Sequence, residues 1–154
     1  MQKIVNQIKE LEIIEEELNS NPVGILAALV EGDQVNQIST TFLYIDKNVY
    51  IFFNEGNEVY EKLQFDNLST FTVIGDGEKI KAKKFNFKPT YNFVSISITG
   101  MLKKIEEIKT LKELKSNYIK KYNKELSNEI TSSSLINVIM IDSEEIQAFE
   151  EYGG

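Results

Sequence analysis

Histidine, cysteine, tryptophan and arginine are all absent from this 154-residue chain, and proline occurs only at Pro22 and Pro89. Without imidazole or thiolate there is no zinc site of the usual kind. Serine–histidine and cysteine–histidine nucleophiles are excluded in their common forms. Without arginine there is no bidentate grip on phosphate or carboxylate, because all seventeen cations are lysine point charges. Disulfides are impossible. An enzyme built from this alphabet must use carboxylates, lysine, tyrosine or hydroxyls, or let a bound cofactor carry the chemistry.

Long apolar runs are missing too. None approaches the roughly 18 residues that a membrane-spanning helix needs. Residues 1–20 carry Glu10, Glu12, Glu15, Glu16 and Glu17, a composition unlike a secretory signal, so the cytoplasm is the expected location. A net charge of −7 and a pI near 4.8 oppose nucleic-acid binding, despite a lysine string (Lys79, Lys81, Lys83, Lys84, Lys88) interleaved with Phe85, Phe87 and Tyr91. The length fits a single domain, 1–154, able to bury roughly 70% of its unfolded surface.

What is present reads as strands with a few helices. Segment 2–18 pairs an apolar stripe (Ile4, Val5, Ile8, Leu11) with an acidic face, which predicts a helix packed on the domain; its acidic face would be repelled by anionic lipid. Pro22 stops it. Segment 23–30 (VGILAALV) is a continuous apolar run short enough for a buried strand, and Glu31-Gly32-Asp33 is a turn. A long strand is expected over 34–45. Runs 40–45 and 49–53 are rich in aromatic and β-branched residues and flank the polar turn Asp46-Lys47-Asn48, a hairpin pattern. After the turn Asn54-Glu55-Gly56-Asn57, a short helix places Val59, Tyr60 and Leu63 on one face. A strand follows over 68–74.

Segment 75–91 has two glycines, one proline and the lysine string. It reads as a long loop that orders when an anionic ligand meets one of Lys81, Lys83 or Lys84. A strand over 92–104 alternates Val94, Ile96 and Ile98 with Ser95, Ser97 and Thr99. The next helix has Thr110 as an N-cap candidate with Glu113 three residues on, and an apolar face of Leu111, Leu114, Tyr118, Ile119 and Tyr122. A last strand over 135–141 precedes an acidic tail, 142–151, whose simplest reading is a solvated end. The sum is a mainly β protein: a six-stranded antiparallel barrel with N-terminal and late helices.

Four stretches in order, VGILAALVEGD, ISTTFLYIDKNVYIFFNEGN, VYEKLQFDNLSTFTV and SISITGMLKKIEE, resemble the pyridoxamine 5'-phosphate oxidase-like flavin-binding split barrels. That group includes nitroimidazole-resistance and general stress flavoproteins. The resemblance covers 22–141. It implies a split β-barrel and a homodimer that binds FMN at its interface. It places the isoalloxazine near Ser39, Thr40, Thr41 and Phe42, with Phe52, Phe53 and Asn54 flanking it. It puts the phosphate near Gly56 and Asn57, with Lys62 one turn on.

The chain departs from that pattern at one place. Where flavin-binding members carry a Ser-Arg-Lys-like string after the glycine, Asn57-Glu58-Val59 stands here. A carboxylate about 4 Å from a phosphate charge costs about 4 kcal/mol at an effective dielectric of 20. Two functions therefore stay open: an FMN-dependent small-molecule oxidoreductase, or a split barrel that has lost the phosphate site and holds another small ligand or serves a non-catalytic role. Homodimerisation is expected independently, because both the first apolar strand and the last (LINVIMI) are apolar on two faces and need cover.

Overall fold

A computed structural model describes residues 2–77, 88–122 and 137–154. In chain order the elements are β1 (Lys3–Ile8), α1 (Leu11–Ser20), β2 (Gly24–Val30), β3 (Gln34–Thr40), β4 (Leu43–Ile45), β5 (Asn48–Phe53), α2 (Glu58–Lys62), β6 (Leu68–Asp76), β7 (Tyr91–Ile105), α3 (Ile108–Tyr122) and β8 (Asn137–Gly153). The eight strands form one antiparallel sheet in the order β3-β2-β6-β7-β8-β5-β4, with β1 also paired to β8.

The two longest strands organise the rest. β7 pairs with β8 along its whole length, from Tyr91 opposite Gly153 to Ile105 opposite Val138. The other edge of β8 is shared: β5 takes residues 137–141 and β1 takes residues 148–153. The strands at the two ends of the sheet, β3 and β4, are neighbours in sequence but do not pair with each other. The barrel is therefore open, and Thr41 and Phe42 carry the chain across the split.

Alternation decides what lies inside. Val94, Ile96, Ile98 and Leu102 of β7, Ile51 of β5, Ile139 and Ile141 of β8, Leu26 of β2 and Phe71 of β6 are all buried in one core, joined by Ile14 and Leu18 from α1. A second, smaller core lies on the opposite face of β5 and β8, where α3 lays Leu114 and Tyr118 on Leu43, Phe52 and Val138. On the outward side of the other half of the sheet, the middle of the face is free of charge over four strands, with Asp76 of β6 and Lys103 of β7 at its ends. It consists of Ile25, Ala27 and Leu29 of β2, Val35, Gln37 and Ser39 of β3, Leu68, Thr70, Thr72 and Ile74 of β6, and Ser95, Ser97, Thr99 and Met101 of β7, brought together by register. Val35, Leu68 and Ile74 are all more than half exposed there.

Several expectations are corrected. The segment 2–18 is a strand followed by a helix. Ile4 and Ile8 are four apart, a spacing that serves both a helix and a strand, and the stretch of β8 beyond the end of β5 offers an open edge that β1 fills. The long strand over 34–45 is interrupted at Thr41 and Phe42 by the split. The tight turn is Asp46-Lys47 alone, both with positive φ (48° and 71°), and Asn48 already pairs with Ile45. Thr110 is no cap: α3 starts at Ile108, and the Leu111 N–H donates to the Glu107 carbonyl. The acidic tail is no solvated end but the second half of β8, and Glu150 is 2% exposed. Eight strands replace six because β1 was not foreseen and the split divides the expected strand over 34–45 into β3 and β4. The lysine-rich segment falls mostly at 78–87, outside the described residues.

Gly100 sits where the register of β7 against β8 shifts by one residue. A Cβ there would overlap the Asp142 backbone carbonyl, which has no free rotor to yield. Gly100→Ala should lower stability by about 2–3 kcal/mol, the upper range for overpacking. Urea denaturation measures this; a change below about 0.5 kcal/mol would mean that the strand pair adjusts around the bulge.

Candidate functional site

The split leaves a cleft of about 410 Å³. One wall is the end of β3 and its exit, Ile38, Ser39, Thr40 and Thr41; the other is the end of β5 and the turn after it, Phe52, Phe53, Asn54, Asn57 and Val59, with Tyr118 of α3 at one side. Among the described residues, no charged side chain lines it.

Each wall is held by its own local chemistry. Phe52 and Phe53 point to opposite faces because adjacent strand residues must. Phe52 packs on the Tyr118 ring (4.6 Å between centroids) in the α3 core, and Phe53 packs near Tyr60 (5.6 Å) in the main core. Asn57 caps α2: its Oδ1 accepts the Tyr60 N–H at 3.0 Å, which fixes the turn that closes the cleft. Gly56 supplies the positive φ (73°) that this turn requires. On the opposite wall, the Thr41 hydroxyl bonds the Tyr118 hydroxyl at 2.8 Å.

Seven of the ten residues singled out from the sequence thus line one cleft: Ser39, Thr40, Thr41, Phe52, Phe53, Asn54 and Asn57. Three do not. Phe42 is fully buried against Phe71 (4.8 Å) in the main core. Gly56 shapes the turn without lining the cleft. Lys62 is exposed at the far end of α2, where its carbonyl accepts the Glu31 N–H. Glu58 is exposed and outside the cleft, whereas Val59 lines it. Ile38 and Tyr118 were not foreseen. Tyr118 reaches the cleft from 77 positions along the chain, and its place on an apolar helix face gave no sign of that role.

Behind the cleft, the crossing at Phe42 is latched by the last turn of α3. The Tyr122 hydroxyl accepts the Phe42 N–H at 3.0 Å and lies 2.9 Å from the Phe42 carbonyl and 2.7 Å from the Pro22 carbonyl. One phenolic proton serves one of these carbonyls at a time, and Lys121 Nζ donates to the Phe42 carbonyl at 3.1 Å. The same ammonium sits 3.7 Å from the Phe42 ring centroid, a cation–π contact. Burial pushes the Tyr122 phenol up to about 12 and the Lys121 amine down to about 8.

These shifts have a defined sign. Between pH 8 and 10.5 the unfolded Lys121 holds a proton that the folded one has lost, so its contribution to stability rises with pH across that window. Above pH 10 the unfolded Tyr122 ionises first, so stability falls. Lys121→Met should flatten the rise between pH 8 and 10, read from thermal midpoints at constant ionic strength; an unchanged profile would place that rise elsewhere. Tyr122→Phe strands the buried Phe42 N–H and should cost about 1–3 kcal/mol in denaturant titrations.

No family model and no curated protein matches the sequence. Solved structures do. A 5-nitroimidazole antibiotic resistance protein of Bacteroides thetaiotaomicron superposes with a TM-score of 0.75 at 12% identity, covering 100% of this chain and 93% of that one. An FAD-binding protein of Mesorhizobium loti gives 0.67 at 18% identity, covering 96% and 98%. A pyridoxamine 5'-phosphate oxidase of Corynebacterium glutamicum gives 0.61 at 18% identity, covering 100% and 98%. At such identities the likeness is one of fold, and the fold of this chain is the split barrel of the flavin-binding and pyridoxamine 5'-phosphate oxidase-like proteins.

Proposed function

We propose that the cleft holds the isoalloxazine ring of FMN in a homodimer, and that the protein is a small-molecule oxidoreductase drawing on a reduced nicotinamide. One observation carries this reading: seven residues that the sequence resemblance assigned to a flavin site converge on one uncharged cleft. Its chemistry suits the ring. Ser39, Thr40 and Thr41 offer hydroxyls and Asn54 an amide to the ring's polar edge, while Phe52, Phe53, Val59 and Ile38 offer apolar surface to its faces. A bound flavin would supply hydride transfer, which needs neither histidine nor cysteine. The chain's own part is to orient the ring and to exclude water from it.

The last strand needs no cover from a second copy, because the main core and α3 cover its two faces; the homodimer rests on the uncharged middle of the face of β2, β3, β6 and β7. Ser39 belongs both to that face and to the cleft. A second copy of the chain seated there would cover exposed Ile25, Val35, Leu68 and Ile74 and add a wall to the cleft. Light scattering should give a dimer at micromolar concentration. A monomer would remove the added wall.

The phosphate is the weak point of this fit. No cation lines the cleft among the described residues, and Lys62 lies away from it. FMN should therefore bind little better than riboflavin. Replacing Glu58 with Arg and Val59 with Lys should tighten FMN by two decades or more and leave riboflavin nearly unchanged, measured by quenching of flavin fluorescence. Equal tightening of both, or of neither, would put the phosphate elsewhere. The same lack of a cation favours a second reading, a split barrel that holds a different, uncharged ligand. Flavin absorbance in the concentrated protein separates the two.

A further inference from the structure

On the other side of the Phe42 crossing lies a second cavity, of about 530 Å³, between the end of α1, β4 and the last turns of α3. Pro22, Leu43, Tyr44 and Ile45 form its apolar wall, and Asn19, Asn117 and Lys120 are among its polar lining. Lys121 lines it too, and its situation differs from that of Lys3, Lys103 and Lys104, each of which lies within 4 Å of a carboxylate. Among the described residues Lys121 has no such partner. Its amine is half-buried, beside the Phe42 and Tyr122 rings and against one backbone carbonyl.

We propose that Lys121 is a carbonyl-capture site, an amine that condenses with a small aldehyde entering this second cavity. The hydrogen bond to the Phe42 carbonyl uses one N–H and orients the nitrogen, leaving the lone pair of the neutral amine for an electrophile. That lone pair attacks the aldehyde carbon. The two amine protons leave with the carbonyl oxygen as water, and a C=N bond replaces C=O. No oxidant or reductant is consumed. The apolar wall favours the neutral amine and accommodates the aldehyde's carbon skeleton, while Lys120 can meet an anionic substituent.

The ring contacts and the Phe42 carbonyl favour the ammonium form, but burial outweighs them, and among the described residues no titratable neighbour adds an anion. Lys120 precedes it on α3 and is itself a cation. Tyr122 is a phenol held neutral to about 12. Tyr44 of β4 is likewise raised by burial and then by the Glu15 carboxylate, with Asp46 a smaller cause. None of these phenols supplies an anion to hold the ammonium form. With Lys121 lowered to about 8 against an ordinary 10.5, the neutral fraction at about pH 7.5 is about one quarter, against about one in a thousand for an ordinary lysine. The less basic nitrogen is also less nucleophilic. A slope like that known for thiols (about 0.4–0.5) returns roughly tenfold of that advantage. A preference of about tenfold or more should remain.

The test uses the unaltered protein. Glyoxylate and cyanoborohydride at pH 7.5 convert each imine to a stable carboxymethyl-lysine, and peptide mass spectrometry reads the rate at each of the seventeen lysines. Lys121 should be labelled at least tenfold faster than the median lysine. The preference should shrink as pH approaches 10.5 and vanish in urea, where the cavity is gone. Even labelling of the folded protein, Lys121 among the slowest sites, or a preference that survives in urea would each overturn the proposal.

Discussion

The structure depends on one crossing. β3 and β4 lie at opposite ends of the sheet, and the chain passes between them through Thr41 and Phe42 alone. Strand pairing satisfies the backbone elsewhere in the sheet, but a residue leaving one edge for the other loses that option. Here α3 answers the need. The Tyr122 hydroxyl takes the Phe42 N–H, Lys121 Nζ bonds the Phe42 carbonyl, and the Tyr118 hydroxyl bonds Thr41. The Phe42 ring, fully buried against Phe71, anchors the crossing to the main core.

Two cavities follow from this crossing, one on each side. The cleft between the ends of β3 and β5 exists because the sheet does not close there. The second cavity lies between the end of α1, β4 and the last turns of α3, whose final turn reaches back to Phe42. Their chemistries are opposite. The first is lined without charge by hydroxyls, amides and aromatic faces, and suits a flat ring. The second holds two lysines against an apolar wall, and suits an electrophile. Tyr118 and Tyr122, one helical turn apart with rings 4.7 Å between centroids, connect the two sides. A change in one tyrosine is therefore expected to be felt at both.

The long β7–β8 pair plays the complementary part. It gives the sheet a rigid axis on which β5, β1 and β6 register. Its register shifts by one residue between Thr99 and Gly100, where Glu144 of β8 is the extra residue. On the same strand, Glu150 is buried beside β1, and Asn6 donates to its side chain at 3.4 Å, so a carboxyl group that looks like part of a solvated tail is held at a strand interface.

Much of this was legible in the sequence. Alternation in 92–104, the hairpin around Asp46 and Lys47, the apolar run of β2 and the helix start after Asn57 are local signals, and each produced the element it predicted. Ser39, Thr40, Thr41, Phe52, Phe53, Asn54 and Asn57 are grouped by the resemblance to the flavin-binding split barrels, and they lie around one hairpin. The sequence by itself therefore determined the strand-rich class, the order of most elements and the residues at one end of the hairpin. Only tertiary structure decided the rest. Residues 3–8 became a strand because β8 had an edge to fill, and 142–153 did so because β7 ran alongside. Phe42, on the predicted site strand, went to the core because the split turned its side chain inward. Tyr118, Lys121 and Tyr122 acquired their roles from contacts spanning some 80 residues, and no local period records which helix face will meet a crossing point so far away.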